Sequence, residues 1–219
     1  MTHTLYQIRQ CTNPVCRLRF PTPAAERLAE VCPACGTQTA IMADIDAPSE
    51  GPPLLFPRAH LPIEALLDNV RSLFNVGSIF RSADGAGLRR LHLCGITPTP
   101  ENLKLAKTAL GAEQTVDWRY QPNGVEVVEG LQAQGFAIWA LEEHPRAESL
   151  FTVAPTQQPL LLVVGSEVTG VDPAILQRCD KIVAIPMQGV KRSLNVATAF
   201  GVAAVILGER WTAESPSNP

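Results

Sequence analysis

No apolar run in this chain is long enough to cross a bilayer. The longest, Val196 to Leu207, falls short of the roughly 20 residues that a span requires. It reads as a buried helix. The first residues, Met-Thr-His-Thr-Leu-Tyr-Gln, hold no apolar segment of the signal-peptide kind, so no membrane association is expected and the cytoplasm is the expected compartment. Net positive charge is also missing. Lys and Arg number 18 against 21 Asp and Glu, a formal charge of −3, which argues weakly against gripping nucleic acid by charge alone and leaves a local basic patch open. There is no internal repeat and no low-complexity tract. The G-x-G-x-x-G dinucleotide fingerprint and the Gly-Lys-Ser/Thr of a P-loop are absent as well, which argues against an ordinary nucleotide-dependent enzyme.

What is present is an apolar share of 46% in 219 residues, enough for one ordinary domain with a core and a small second one. The composition divides the chain into residues 1–45, rich in Cys and Pro, and a Pro/Gly-rich linker over 46–62. A larger domain follows over 63–210, then a C-terminal tail over 211–219.

The first segment has too few large apolar residues for its own core. It carries Cys11-x4-Cys16 and, fifteen residues on, Cys32-x2-Cys35-Gly36. Two close thiol pairs on tight turns suit one tetrahedral Zn²⁺. Disulfides are the competing reading, disfavoured without an export signal. Four thiolates leave no open coordination position, so the metal is expected to be structural, and it would supply the stabilisation that the missing core does not. Arg9, Arg17, Arg19 and Arg27 make this segment locally basic; whether it contacts RNA or is merely solvated stays open. Cys94 and Cys179, far apart in apolar or helical surroundings, read as plain buried thiols.

In the larger domain apolar strands alternate with helical patterns. Strands are expected over Glu64–Leu67, Arg90–Cys94, Ala137–Leu141, Leu160–Val164 and Ile182–Ile185. Helices are expected over Val76–Ala86, Glu101–Ala109, Val125–Gln134, Pro173–Arg178 and Leu194–Leu207. Strands that are apolar throughout, separated by helices, imply an α/β fold: a mostly parallel sheet with helices on both faces. Ligands in such sheets bind beyond the carboxyl ends of the strands.

Three polar clusters stand out. Asn75-Val-Gly-Ser-Ile-Phe-Arg81 opens a helix. Asn75 is its N-cap on the simplest reading, while Ser78, Arg81 and Ser82 fall opposite the apolar stripe, where an Arg can hold a phosphate or polarise a hydroxyl. Gly165-Ser-Glu-Val-Thr-Gly170 follows an apolar strand. Its glycines fit a tight loop near a ligand, and Glu167 either orients that ligand, faces solvent, or caps the helix near Pro173. Ile185-Pro-Met-Gln-Gly-Val-Lys-Arg-Ser-Leu-Asn195 enters the last helix. Ser193 is its N-cap on the simplest reading, and Asn195, polar within an apolar helix, calls for a specific partner. Lys191 and Arg192 would attract an anion at a helix N-terminus.

Taken in order, the three clusters resemble the three motifs of the SpoU (TrmH-like) branch of the SPOUT RNA methyltransferases. Asn75-x5-Arg81 with Asp84-Gly-Ala-Gly87 is similar to the first, Gly165-Ser-Glu167-Val-x-Gly170 to the second, and Ile185-Pro-Met-x-Gly189-x3-Ser193-Leu-Asn195-Val to the third. The segment Lys107–Ala112 is similar to a stretch common between the first and second, and Val168 replaces a frequent Gly. The match spans roughly Ile63 to Gly208 and excludes the cysteine-rich segment. The resemblance implies a C-terminal trefoil knot that forms an S-adenosylmethionine pocket. It implies a homodimer with the active site near the subunit interface, and methyl transfer to a ribose 2′-hydroxyl of tRNA or rRNA. Arg81 would then act on the hydroxyl, Ser193 and Asn195 would position the RNA, and Asn75 and Glu167 would support the site. The backbone of Leu141, Gly165, Ile185, Met187 and Leu194 would line the cofactor pocket. The alternative is a zinc-ribbon RNA-binding protein whose transferase-like domain is inactive and serves for dimerisation.

Overall fold

The computed structural model describes residues 5–25, 27–46 and 61–214. The chain forms two compact units, Met1–Pro57 and Arg58–Pro219. Most of the expected linker lies outside the described residues. Its two ends belong to strands, since one strand reaches Asp46 and the next begins at Leu61.

The first unit is a three-stranded antiparallel sheet of β1 (Leu5–Cys11), β2 (Arg19–Pro23) and β3 (Thr39–Asp46), in the order β2-β1-β3. Among its described residues only Cys11, Ala29 and Cys32 are buried apolar groups. The turns after β1 and before β3 bring the four cysteines together at one end of the sheet.

The second unit is built on a seven-stranded sheet. Its strands are β4 (Leu61–Asp68), β5 (Leu88–Cys94), β6 (Asp117–Gln121), β7 (Ala137–Leu141), β8 (Glu148–Ser149), β9 (Leu160–Val164) and β10 (Lys181–Ala184). They lie in the order β6-β5-β4-β9-β7-β10-β8, and every pairing is parallel. The helices are α1 (Leu73–Ala86), α2 (Leu103–Ala109), α3 (Gly124–Gln132), α4 (Pro173–Leu176) and α5 (Val196–Glu214). None is long and apolar enough to cross a membrane.

Both faces of the sheet are covered, which is why β9, Leu-Leu-Leu-Val-Val, is buried at every position. Alternate residues feed two cores. Leu160, Leu162 and Val164 join Ile63, Ala65 and Leu67 against α1 and α5, while Leu161 and Val163 join Leu66 against Val127, Val128 and Ile175 of α3 and α4. The expected stripe Val76, Ile79, Phe80 and Ala83 is the buried side of α1. Gly77 is buried there too, because α1 and α2 pack so closely that a β-carbon would overlap Thr108.

Several boundaries differ from expectation. Helix α1 starts three residues early, at Leu73, and its N-cap is Ser72, whose hydroxyl accepts from Asn75 N at 3.3 Å. Asn75 is therefore inside the first turn. Helix α5 starts at Val196 and not at Leu194, and it runs to Glu214, so the expected tail begins as helix. Its cap is not Ser193. Asn195 Oδ1 accepts from Ala197 N (2.9 Å) and Thr198 N (3.4 Å). Strand β6, Asp-Trp-Arg-Tyr-Gln, went unforeseen because an edge strand is polar and exposed, and β8 is only two residues long. Cys94 is buried, as expected, while Cys179 is only half-buried, and burial pushes each thiol up to about 12.

Candidate active site

Three neighbouring strands, β9, β7 and β10, send their carboxyl ends to one place. The loops that follow them, with the approach to α5, enclose a pocket of about 430 Å³, within the size range of small-molecule sites. Leu141, Gly165, Ile185, Met187 and Leu194 all line it, as do Glu167, Ser193 and Asn195. All five expected cofactor-lining positions therefore share a single cavity.

Main chain dictates the shape of one wall. Ser166 and Gly170 exchange backbone hydrogen bonds (3.1 and 2.9 Å), closing the loop after β9 into a tight ring. Gly170 takes φ +70°. Gly165 lies so near the Gly170–Val171 peptide that a β-carbon would overlap backbone atoms, and only glycine fits. Gly189 differs, since a β-carbon there meets open space.

The three polar clusters meet through side chains at the rim. Asn75 Nδ2 donates to Glu167 Oε1 at 2.7 Å, and Asn195 Nδ2 donates to Asn75 Oδ1 at 3.0 Å. Glu167 also accepts from the backbone N–H of Arg71 and Ser72, both at 3.3 Å, at the start of α1. A carboxylate at a helix N-terminus meets free N–H groups and the positive end of the dipole. Partial burial alone would raise the Glu167 pKa. Hydrogen bonds from its own N–H, the Asn75 amide and the Arg71 and Ser72 N–H groups outweigh that and hold it below the ordinary carboxylate range. Glu167 thus caps neither α4, whose cap is Asp172, nor solvent alone. Asn195 finds the partner that its position called for, but as an exposed cap and not inside the helix.

Arg81 is exposed on α1, as are Ser78 and, in the approach to α5, Lys191 and Arg192. Arg192 lines the pocket; Arg81 does not. It stands six residues beyond Asn75, about 9 Å along the helix.

A family model for SpoU rRNA methylases matches residues 62–205, most of the second unit and all three clusters. The chain belongs to the SpoU rRNA methylase family. Among curated relatives, it is 34% identical over 153 residues to the 23S rRNA (guanosine-2′-O-)-methyltransferase RlmB of Ralstonia nicotianae, covering 70% of this chain and 57% of that one. The chain thus spans less than two thirds of that relative's length. The A. aeolicus TrmH/SpoU tRNA modifying enzyme superposes with a TM-score of 0.65 at 26% identity, over 74% of this chain and 83% of that one. An AdoMet-bound rRNA methyltransferase from Sinorhizobium meliloti shares the fold (TM-score 0.65, 24% identity, 71% and 59% covered).

One pocket residue of this SpoU protein was not foreseen from sequence. Glu142, just past β7, accepts from Val171 N at 2.9 Å and from Glu143 N at 3.1 Å, and packs against Gly170. It ties the loop after β7 to the loop after β9. In sequence it sits in Glu-Glu-His-Pro-Arg, which looks like a solvated charge run.

The cysteine quartet lies outside the family match. The four Sγ atoms all fall within 4.8 Å of one another, with Cys11–Cys35 at 3.4 Å and Cys16–Cys32 at 3.8 Å. Four sulfurs about 2.3 Å from a central Zn²⁺ would stand about 3.8 Å apart, so the set fits a tetrahedral ion. A disulfide would need sulfurs about 2.05 Å apart. Burial among the neighbouring sulfurs pushes Cys11 up to about 12, while the Thr37 hydroxyl and backbone N–H hold Cys35 down at about 6. Metal binding to such a set releases protons.

Proposed function

We propose that this chain transfers a methyl group from S-adenosylmethionine to a ribose 2′-hydroxyl of tRNA or rRNA, working as a homodimer in the cytoplasm. The observation that carries the reading is the Glu167–Asn75–Asn195 chain of hydrogen bonds. It joins three separate sequence clusters at the rim of a cavity that all the expected cofactor-lining residues share.

S-adenosylmethionine brings a methyl group already activated on a sulfonium. The protein's task is then alignment and assistance to proton loss. Backbone groups of Gly165, Ile185, Met187 and Leu194, with Leu141, hold the cofactor. Ser193, exposed beside the α5 N-terminus, and Asn195 position the RNA. Glu167 and Asn75 fix the α1 and α5 starts relative to each other. Arg81 acts on the hydroxyl by charge, favouring its ionised form. Its absence from the pocket of its own chain supports a site completed across a subunit interface, with the guanidinium of one copy serving the cavity of the other. Exposed Phe74 on α1 and Val205 on α5 give such an interface apolar contact area. The C-terminal knot that the resemblance implies belongs to the same reading.

The test is Arg81→Ala. Methyl transfer is expected to vanish while S-adenosylmethionine binding, followed by calorimetry, stays within about twofold. Methyl label on a base, or full activity of the variant, would overturn the mechanism. Mapping 2′-O-methyl sites in RNA from cells with and without the protein identifies the nucleotide.

A further inference from the structure

The two cysteine turns share a Pro-x-Cys centre and one hydrogen-bond pattern, and they differ in the residue that closes each turn. Asn13-Pro-Val-Cys-Arg17 and Cys32-Pro-Ala-Cys-Gly36 each close with a hydrogen bond from the fifth N–H to the first carbonyl, Arg17 N to Asn13 O (3.0 Å) and Gly36 N to Cys32 O (2.9 Å). Both fifth residues are left-handed, Gly36 at φ +71° and Arg17 at φ +49°. Glycine takes that conformation freely; a long side chain is strained there. Asn69 and Leu110 are left-handed as well, and such a residue is held where the surrounding structure over-determines it, here by the closed turn.

Arg17 is exposed, and its guanidinium has no partner among the described residues. It borders a groove of about 380 Å³ with Gln10, Thr12, Asn13 and Met42, and no acidic residue lines it. Gln10 faces Arg19 across the strand register, which puts a second exposed guanidinium on the same face of the sheet. Arg9, by contrast, is tied to Thr39 Oγ1 and Gln7. Asp44 is bonded to Gln7, away from the groove.

We infer that this groove is an RNA-docking site. Arg17 and Arg19 contact backbone phosphates, and the Gln10 amide, with the Nδ2 of Asn13, whose Oδ1 already accepts from Val15 N and Cys16 N, receives the adjoining nucleotide beside Met42. The inference rests on the RNA methyltransferase reading above and deepens it by assigning a role to the metal-binding unit. Charge complementarity decides the occupant: two exposed guanidiniums, neither with a partner among the described residues, beside neutral polar groups fit a polyanion.

The experiment uses the full chain, loaded with zinc, and a labelled single-stranded RNA of roughly a dozen nucleotides, titrated over a range of salt without S-adenosylmethionine. Arg17→Gly is expected to bind about fivefold more weakly, with the slope of log K against log salt smaller by about 0.7. Zinc content should be unchanged and thermal stability equal or higher, since glycine suits the turn. Arg17→Lys should keep most of the salt slope. Wild-type RNA affinity in Arg17→Gly would overturn the proposal and leave the groove as a contact for a protein. Weaker binding accompanied by zinc loss would overturn it too, making Arg17 a counter-charge for the thiolates. Calorimetry with S-adenosylmethionine runs alongside. Cofactor binding with no Arg17-dependent RNA binding sinks only this inference, whereas Arg17-dependent RNA binding with no cofactor binding supports it and sinks the transferase reading.

Discussion

Asn75→Asp tests the link between α1 and the loop after β9 almost in isolation. The replacement is isosteric, and its Oδ1 still accepts from Asn195 Nδ2. The amide that donates to Glu167 Oε1 at 2.7 Å becomes an oxygen, so a charge-assisted hydrogen bond turns into an encounter between two carboxylates. Two unit charges 4 Å apart repel by about 1 kcal/mol in bulk water and about 4 kcal/mol in a less polarisable setting. Glu167 is exposed, so the lower end applies. Loss of the hydrogen bond adds about 1 kcal/mol, for a total near 2 kcal/mol. In a domain of this size that lowers Tm by roughly 4–8 °C. The pH dependence carries the sign. In the wild type the Glu167 pKa is depressed, so its contribution is present above the ordinary carboxylate pKa and is lost as pH falls through the depressed value. In Asn75→Asp the two carboxylates share a proton, one pKa rises, and the penalty should fade as pH drops through that raised value. Thermal unfolding followed by circular dichroism at about pH 7.5 and about pH 4.5 reads both. A penalty of the same size at both values would refute the electrostatic account, and no penalty at either would mean that the contact is not formed in solution.

Gly165→Ala should abolish S-adenosylmethionine binding or weaken it at least about tenfold, because a β-carbon has only backbone to displace, while Gly189→Ala should bind as wild type; calorimetry on both separates the two turns. Elemental analysis should find about one zinc per chain, and Cys16→Ser should lower that content and destabilise the first unit selectively. Glu64 is buried in β4, 2.7 Å from His92 and within 3.7 Å of Arg89 and Arg90. Removing it leaves Arg89, Arg90 and His92 without their buried carboxylate partner, so Glu64→Ala should cost about 3 kcal/mol in denaturant unfolding, and the joint change Glu64→Leu with His92→Leu should cost less. The Glu64 pKa is lowered by His92 and the two arginines against burial, so this contribution should hold above the ordinary carboxylate pKa and disappear on acidification.

The buried parts of the fold were the most legible. An all-apolar strand such as Leu160–Val164 carries its own signal, and the α1 stripe follows from spacing alone. The edge strand β6 did not, because its residues answer to solvent on one side and to a single neighbour on the other. Both helix starts were misplaced for one reason. Asn75 and Ser193 are good caps by residue type, but the backbone turns at Ser72 and Asn195. Residue type ranks candidates and the path of the chain selects among them. The positions that share the cavity, Leu141, Gly165, Ile185, Met187 and Leu194, were named in the sequence only through the resemblance. Glu142 was not, since nothing local separates a carboxylate that spans two loops from one that faces water. The strain at Arg17 was equally silent, although the shared Pro-x-Cys turns were in view.

The wall formed by Gly165, Ser166 and Gly170 is peptide against peptide, closed by backbone hydrogen bonds. Glu167 and Val168 of that loop are exposed, Val168 at 72%, and with Ser166 they border the cavity beside this peptide wall. Side-chain substitution at Ser166 or Val168 therefore alters the border of the cavity but not the peptide wall itself. A compound that filled the cavity by bonding to those peptides would leave the cell few resistance substitutions, because the atoms it recognises are the same in every amino acid.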